Sequence, residues 1–237
     1  MTAVARATSV QTYARVAGVL FLLSMIAGGI GEMYVPSMLI VSTDAAKTAA
    51  NLRSSDFLFR VGFATYLVEA ICDVALAWIL YVLLRPVHKD LALLAAFFGL
   101  VSTALFGFGE LFYFASSLVL RDAEYLKSFS PDQRNTLALL SLKVYVLGSG
   151  AFMAFYGIPT LLRGYLIFRS RYLPRFLGVL LMLAGAGFVL KNAFLVLAPA
   201  YSSNLFLMPM FLAGVSLTLW FLVKGVDVRK WEETRVV

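Results

Sequence analysis

Two carboxylates lie four residues apart inside an apolar run that is long enough to cross a membrane. Residues 57–84 are mostly apolar but contain Glu69 and Asp73 together with Arg60. Side chains four residues apart share one face of a helix. A charge at the bilayer centre costs ~2.5 to 3.5 kcal/mol, so such groups normally face a protein interior or a water-filled cavity. Two carboxylates one helical turn apart also resist ionising together, which predicts that Glu69 and Asp73 share a proton or hold a small cation.

Further charged residues lie inside other apolar stretches, namely Glu110, Lys143 and Lys191. When each is placed along its span at ~1.5 Å per residue, all three fall roughly 10 Å inside the outer membrane interface. Glu69 and Asp73 fall deeper, towards the middle. Because unpaired charges at these depths would be too costly, their shared position predicts a common polar cavity that opens outward.

The predicted cavity has a set of ligand-binding residues and a rim. Tyr113 lies three residues after Glu110 on the same helix face, and Asn192 follows Lys191. Because acids and bases are both present, we expect the protein to bind or transport a small zwitterionic or amphiphilic solute or a lipid, with coupling to a proton or cation. The predicted ligand-binding residues are Glu69, Asp73, Glu110, Lys143, Lys191, Asn192 and Tyr113. The predicted rim residues are Glu32, Arg60, Asn51 and Arg53.

Two other interpretations stay open. Buried lysine–carboxylate pairs can lock helices together, which would make the chain an interaction or sensory membrane protein with a purely structural charge network. That interpretation predicts that neutralising an acid and its base together is tolerated. The third interpretation is an intramembrane enzyme that uses the carboxylates as acid and base. It is the least favoured, since no nucleophile and base constellation is visible, and no catalytic residue is assigned.

Scarce residue types exclude several kinds of site. The chain has one histidine, His88, and one cysteine, Cys72. It therefore lacks paired axial histidines for a membrane haem, a CxxC pair and an internal disulfide, and we expect no cofactor and no metal site. No run of five basic residues occurs, which argues against a nucleic-acid partner. The expected partners are the lipid bilayer and a small-molecule or lipid ligand.

The composition predicts the fold class. Of 237 residues, 61% are hydrophobic and only 14% are charged, which excludes a soluble domain. We predict an all-α polytopic membrane protein with a single transmembrane domain over residues 1–237 and six transmembrane helices. Twelve Lys and Arg residues fall in the termini and in loops 85–90 and 163–175, against five on the other side, so both termini should be cytoplasmic. The predicted spans are 13–34, 57–84, 91–119, 134–162, 175–197 and 205–223.

Two of the connections carry helix-start signals. The second half of residues 35–56 is rich in Ala and starts at the capping candidates Ser, Thr and Asp of residues 42–44, which predicts a short helix at the membrane interface. Ser130, followed by Pro131 and then Gln133, is typical of a capping box at a helix start. This second signal predicts the beginning of the fourth span.

Four stretches carry a resemblance over nearly the full length of the chain. They are ARVAGVLFLLSMIAG, TAANLRSSDFLFRVG, LYVLLRPVHKDLALLAAFFGLV and GYLIFRSRYLPRFLGVLLMLAG. In these stretches the chain resembles a family of bacterial six-span integral membrane proteins that is catalogued only as a domain of unknown function. The resemblance implies a six-helix membrane fold in the bacterial cytoplasmic (inner) membrane. It implies no activity and no catalytic residue.

Overall fold

The computed structural model describes residues 3–235, with side chains from residue 10 onward. Throughout this range the chain forms helices and connections and contains no strand. Six of its helices are long and apolar enough to cross a membrane, with lengths of 20 to 39 residues. The predicted all-α class with six spans is therefore confirmed. The spans are Val10–Leu39, Asp56–Leu84, Lys89–Val119, Pro131–Arg169, Arg175–Leu197 and Asn204–Val223.

The first span is built from three consecutive helical segments. These are α1 (Ala3–Gly28), a π-helical turn (Gly29–Tyr34) and α2 (Val35–Leu39). The later spans are formed by α4 (Asp56–Leu84), α5 (Lys89–Val119), α6 (Pro131–Arg169), α7 (Arg175–Leu197) and α8 (Met208–Val223). A 3-10 turn (Asn204–Leu207) precedes α8 and belongs to the last span. Short helices outside the spans are α3 (Ala45–Ser54) and α9 (Val228–Arg235).

Two helices extend beyond the spans that the sequence predicts. The first span was predicted to end at residue 34 and the fourth at residue 162, but the helices continue to Leu39 and Arg169. In the fourth span, residues 164–168 are Gly, Tyr, Leu, Ile and Phe, so nothing polar stops the helix after Arg163. Arg163 therefore lies inside α6 and is buried, although it was predicted to belong to a basic loop.

Both predicted helix-start signals are confirmed. Asp44 caps α3, since its carboxylate accepts a hydrogen bond from the amide of Lys47 at 2.8 Å. Ser130 and Gln133 form a reciprocal capping box before α6. The Ser130 amide donates to Gln133 Oε1 at 2.8 Å, and the Gln133 amide donates to Ser130 Oγ at 3.2 Å.

The chain divides into two compact units, and four of the long helices, α1, α4, α5 and α6, contribute to both. We call the first the terminal unit, because it contains both ends of the chain: Met1–Leu23, Ile71–Thr103 and Ala151–Val237. We call the second the carboxyl unit, because it contains Glu32, Glu69 and Glu110: Ser24–Ala70 and Ala104–Gly150. The division passes through α4 between Glu69 and Asp73, so these two residues are described in different units.

In the terminal unit, the end of α4 is closed by side chains from two later segments. The last carbonyl groups of a helix have no partner within the helix. The carbonyl of Leu83 accepts hydrogen bonds from the hydroxyl of Tyr172 at 2.8 Å and from the indole N–H of Trp231 at 2.9 Å. Both aromatic side chains are buried in the core of this unit, beside Leu80 and Leu166.

The beginning and the end of the chain also meet inside the terminal unit. Gly225 follows α8 with a φ of +71°, a conformation that favours glycine. The Gln11 side chain spans this turn: its Nε2 donates to the carbonyl of Lys224 at 2.9 Å, and its Oε1 accepts from the amide of Val226 at 3.0 Å. Segments close to both ends of the chain thus contact each other in this unit, as an even number of spans allows, while the cytoplasmic location of the termini stays a prediction.

The outer surfaces of the spans are apolar. Large hydrophobic side chains such as Ile71, Leu111, Leu147 and Val196 are 61% to 78% exposed along the helices. Only 22% to 39% of the residues in the most hydrophobic stretch of each span are buried by the protein. Apolar surface on this scale needs a lipid environment rather than water.

Candidate functional site

The carboxyl unit contains a buried acid at the middle of α5. Glu110 is only 3% exposed. Its carboxyl group interacts with the hydroxyl of Tyr145 on α6 and electrostatically with Glu32 on the π-helical turn. A second hydroxyl, that of Tyr66 on α4, interacts electrostatically with Glu110 and with Glu69. Glu110 is therefore where side chains from four helical segments converge.

The π-helical turn carries Glu32 into this cluster. A π turn contains one more residue than an α turn and rotates the side chains that follow, and such turns occur often at functional sites. At this turn α1 approaches α4 closely. A Cβ on Gly31 would overlap Thr65 Oγ1 and would lie 3.0 Å from the carbonyl oxygen of Gly62. Glycine at position 31 is thus required for the contact between the turn and α4.

Glu69 reaches the same first span from α4. Its carboxyl oxygens lie 3.1 and 3.2 Å from the position that a Cβ on Gly28 would occupy. The missing side chain at Gly28, just before the π turn, leaves the space that the Glu69 carboxyl fills. We call the set Glu32, Glu69 and Glu110 the glutamate cluster.

Three tyrosines surround the glutamate cluster and are fixed by packing. Tyr113 stacks on Phe59 with ring centres 4.5 Å apart, and its hydroxyl donates to the Phe59 carbonyl at 3.3 Å. The ring of Tyr145 lies 5.4 Å from that of Tyr113. A Cβ on Gly107 would lie 2.6 Å from the hydroxyl of Tyr66. The hydroxyls of Tyr66 and Tyr145 can donate to a carboxylate or accept from a protonated carboxyl group, whereas that of Tyr113, which already donates to Phe59, can accept.

This arrangement can hold a proton or a positively charged group. Carboxyl groups that lie close together in a low-dielectric interior resist ionising together, so a proton or another cation among them would stabilise the cluster. The phenol hydroxyls around them can relay a proton or complete the coordination of a cationic group. Among the described residues there is no group of three or more His, Cys, Asp or Glu side chains with the geometry of a metal site.

Asp73 lies in the terminal unit and faces a base. It interacts electrostatically with Arg163 on α6, which also interacts with Tyr156. Arg163 is 9% exposed, and one of its guanidinium nitrogens, Nη2, lies 2.7 Å from the position of a Cβ on Gly99. Glycine on α5 therefore provides the space in which α6 buries a guanidinium group.

The other predicted ligand-binding residues are placed differently from one another. Lys143 is exposed on α6, so its ammonium group faces outward from the carboxyl unit instead of lining the glutamate cluster. Lys191 is half-buried in the terminal unit, where its carbonyl accepts from the hydroxyl of Ser202 at 3.3 Å. Asn192 is buried and donates to the carbonyl of Phe188 on its own helix at 2.9 Å.

The predicted rim residues also separate. Asn51 fixes α3 by donating to the carbonyl of Leu39 at 3.2 Å, and Arg53 donates to Asn135 Oδ1 at 3.2 Å. Arg60 is exposed and forms an ion pair with Asp56 at 2.6 Å. Glu32, in contrast, interacts with the buried Glu110. The structure therefore brings Glu32, Glu69, Glu110 and Tyr113 together in the carboxyl unit.

Sequence reasoning missed Arg163, Tyr66 and Tyr145. The apolar residues 164–168 were a signal for Arg163, because a helix that continues to Arg169 must carry Arg163 inside it. Tyr66 lies three residues before Glu69 on the same helix face, which could have indicated it. No pattern pointed to Tyr145, since its role depends on how α6 packs against α5.

The fold and the buried charged groups together identify the class of protein to which the chain belongs. Six apolar helices, apolar outer surfaces and buried charged groups are those of a multi-pass integral membrane protein. The chain belongs to the family described as domain of unknown function DUF4386, which matches residues 16–225. It is similar to an uncharacterized protein of Archaeoglobus fulgidus, with 28% identity over 155 residues that cover 65% of this chain and 78% of that protein. No solved structure matches the chain.

Proposed function

We propose that this integral membrane protein binds or transports a small amphiphilic solute through the glutamate cluster, with coupling to a proton or cation. The observation that carries the proposal is the convergence of Glu32, Glu69 and Glu110 from three spans. Glu110 interacts electrostatically with Glu32, and the hydroxyl of Tyr66 interacts with both Glu69 and Glu110. Ionisable groups inside a membrane protein are costly and are usually retained for function.

The solute should carry a positive group. The sequence suggested a zwitterion because lysines and acids were expected in one cavity. Lys143 is exposed, however, and the glutamate cluster presents carboxyl and phenol groups. A primary or quaternary ammonium group with an apolar tail would match these groups, since the ammonium can replace the proton among the carboxyl groups and the tail can contact the apolar helices.

A structural role is favoured for the charges of the terminal unit. There Asp73 faces Arg163, so acid and base compensate each other. Such a pair can align α4 with α6 without any ligand. This second role applies to Asp73 and Arg163 only, and it is compatible with ligand binding in the carboxyl unit.

Mass spectrometry of co-purified molecules tests the proposal. The wild type is compared with the triple variant Glu32→Gln, Glu69→Gln, Glu110→Gln, after thermal unfolding has shown that the variant is folded. We expect a cationic amphiphile that the wild type retains and the triple variant loses. A matched control, Asp122→Asn with Glu124→Gln, removes exposed acids of the same unit and should retain that molecule. Identical spectra for all three proteins would refute the proposal.

Proton coupling is tested in liposomes. Wild type and variants are reconstituted in vesicles that contain a pH-sensitive dye, and the molecule identified by mass spectrometry is added outside. We expect a change of internal pH with the wild type and with the exposed-acid control, and none with the triple variant. An equal pH change in the triple variant would show that the glutamate cluster does not couple the solute to protons.

A further inference from the structure

A basic pocket lies where α6 ends and α7 begins, in the terminal unit. It has a volume of about 320 Å³ and is lined by Phe168, Arg169, Arg171 and Arg175. Three of these four residues carry guanidinium groups, and no acid is among them. We propose that this pocket, which we call the arginine pocket, binds the phosphate of an anionic phospholipid headgroup.

The chain around the arginine pocket is held in place by buried neighbours. Between the arginines, Ser170, Tyr172 and Leu173 are only 3% to 5% exposed. The Ser170 hydroxyl donates to the carbonyl of Ile167 at 2.8 Å, and the Tyr172 hydroxyl donates to that of Leu83 at 2.8 Å. Because these side chains point inward, the arginines are exposed side by side on a fixed backbone. Such preorganisation lowers the entropy that binding would cost.

The position of the arginine pocket matches the level of lipid headgroups. Arg169 is the last residue of one span and Arg175 is the first residue of the next. A group bound between them therefore lies where the apolar helices leave the membrane. The guanidinium of Arg175 also lies over the ring of Phe168 at 5.7 Å, so a lipid would meet an apolar surface beside the charges.

The chemistry of the arginine pocket favours a phosphate. Guanidinium groups form paired hydrogen bonds with phosphate oxygens. The N-cap of α7 is Pro174, which offers no side-chain acceptor to the first amides, so the positive end of this helix also favours an anion. Asp227 is joined to the loop through its amide, which donates to the Tyr172 carbonyl at 3.2 Å, but its carboxylate binds Lys230 at 3.1 Å. The nearby acid is thus already paired with another base.

The predicted orientation agrees with a lipid as the source of that phosphate. The excess of Lys and Arg predicts that this loop is cytoplasmic, and the cytoplasmic leaflet is rich in anionic lipids. A cluster of basic residues directly beside membrane-spanning helices is a typical recognition site for their headgroups.

Native mass spectrometry of the full-length protein in detergent tests the arginine pocket. Phosphatidylglycerol and phosphatidylcholine are added separately, and the bound fraction of each is measured. We expect the wild type to bind phosphatidylglycerol much more strongly than phosphatidylcholine, and the triple variant Arg169→Gln, Arg171→Gln, Arg175→Gln to lose roughly tenfold or more of that affinity. The single variant Arg171→Gln, in the loop between the two helices, should show a smaller loss in the same direction and serves if the triple variant does not fold.

A charge-matched control separates the arginine pocket from the general charge of the protein. Arg85→Gln, Lys89→Gln and Arg229→Gln remove three exposed basic residues of the same unit outside the pocket, and they should leave phosphatidylglycerol binding unchanged. An equal loss in this control, or equal binding of the two lipids by the wild type, would overturn the proposal. Inorganic phosphate is added as a competitor. If it displaced phosphatidylglycerol at equal concentration, the pocket would be a site for free anions and the lipid assignment would be wrong.

Discussion

In the terminal unit, Asp73 faces the buried base Arg163. In the carboxyl unit, Glu110 is more completely buried than Asp73, and the groups that it faces are another acid, Glu32, and tyrosine hydroxyls. Both units thus place a carboxyl group among apolar helices, half-buried in the case of Asp73 and buried in the case of Glu110, and they compensate its charge differently. In the first case the compensating charge belongs to the protein itself. In the second, a proton or a bound cation can supply it.

This difference predicts that Asp73 contributes to the stability of the fold and that Glu110 contributes to binding of a proton or cation. A charge whose partner is another side chain becomes costly when that partner is removed, because the remaining charge stays buried. A carboxyl group that faces other acids repels them when it is ionised, so its removal relieves the repulsion. Substitutions in the two units should therefore change the free energy of unfolding in opposite directions.

The largest effect is expected from removing the base of the terminal unit. Arg163→Met leaves the half-buried Asp73 without its counter-charge and should lower the free energy of unfolding by about 3 kcal/mol, the low end for breaking a buried pair. Thermal unfolding in detergent measures this loss as a lower Tm. The double variant Asp73→Asn, Arg163→Met removes both charges and should recover most of the stability. If Arg163→Met unfolded at the wild-type temperature, Asp73 and Arg163 would not compensate each other.

Removing the central acid of the carboxyl unit should have the opposite sign. Glu110→Gln keeps the size and hydrogen-bonding capacity of the side chain and removes its repulsion with Glu32 in the ionised state, so we expect stability to rise by about 1 kcal/mol under conditions in which Glu110 is ionised. Asp73→Asn, which removes a paired acid, should lower stability and serves as the matched comparison. A large loss of Tm in Glu110→Gln would mean that this carboxylate has a basic partner and that the two units do not differ in this respect.

Much of the fold could be predicted from the sequence, because a membrane span needs about 20 apolar residues and such runs are visible directly. The helix starts at Asp44 and Ser130 were also readable, since capping depends on residues within one turn. The end of α6 was missed because Arg163 was counted as a loop residue. The charge of Arg163 was given more weight than the apolar residues 164–168, although a nearby acid such as Asp73 lets an arginine remain inside a helix.

The candidate site could be predicted only in part, because depth along a helix does not determine the direction in which a side chain points. Glu110 and Lys143 were placed at the same depth, yet Glu110 is buried and Lys143 is exposed. The rotation of a helix about its axis is set by packing against its neighbours. Glu32 was expected at a rim because the first span was predicted to end at residue 34, whereas the helix continues to Leu39 and contains a π turn that changes the direction of the Glu32 side chain.

A medium effect should come from the π turn that holds Glu32, and it tests whether the carboxyl unit depends on close packing. Gly31→Ala places a methyl group against Thr65 and 3.0 Å from the Gly62 carbonyl oxygen, so stability should fall by about 1–3 kcal/mol. Gly29→Ala, on the same turn, meets nothing within 4 Å and should leave Tm unchanged or slightly raised. Equal Tm values for the two variants would show that the turn does not pack tightly against α4.

The smallest effect concerns Asp227, and it extends the comparison to a charge at the surface of the terminal unit. The amide and ammonium groups of Lys230 hold the pKa of the Asp227 carboxyl below its ordinary value of 3.8. A lowered pKa in the folded state means that the carboxylate stabilises α9 above pH 3.8 and that this contribution is lost as the pH falls through the lower value. Hydrogen exchange of the α9 amides, compared at pH 7 and below pH 3.8, should therefore show weaker protection in acid.

Asp227→Asn keeps an N-cap without a titrating group and should abolish this pH dependence, while Asp227→Ala should weaken protection at both pH values by about 0.5–1 kcal/mol. If protection in the wild type did not change with pH, the pairing with Lys230 would contribute nothing to α9, and compensation of acids by bases in this unit would be confined to its buried interior.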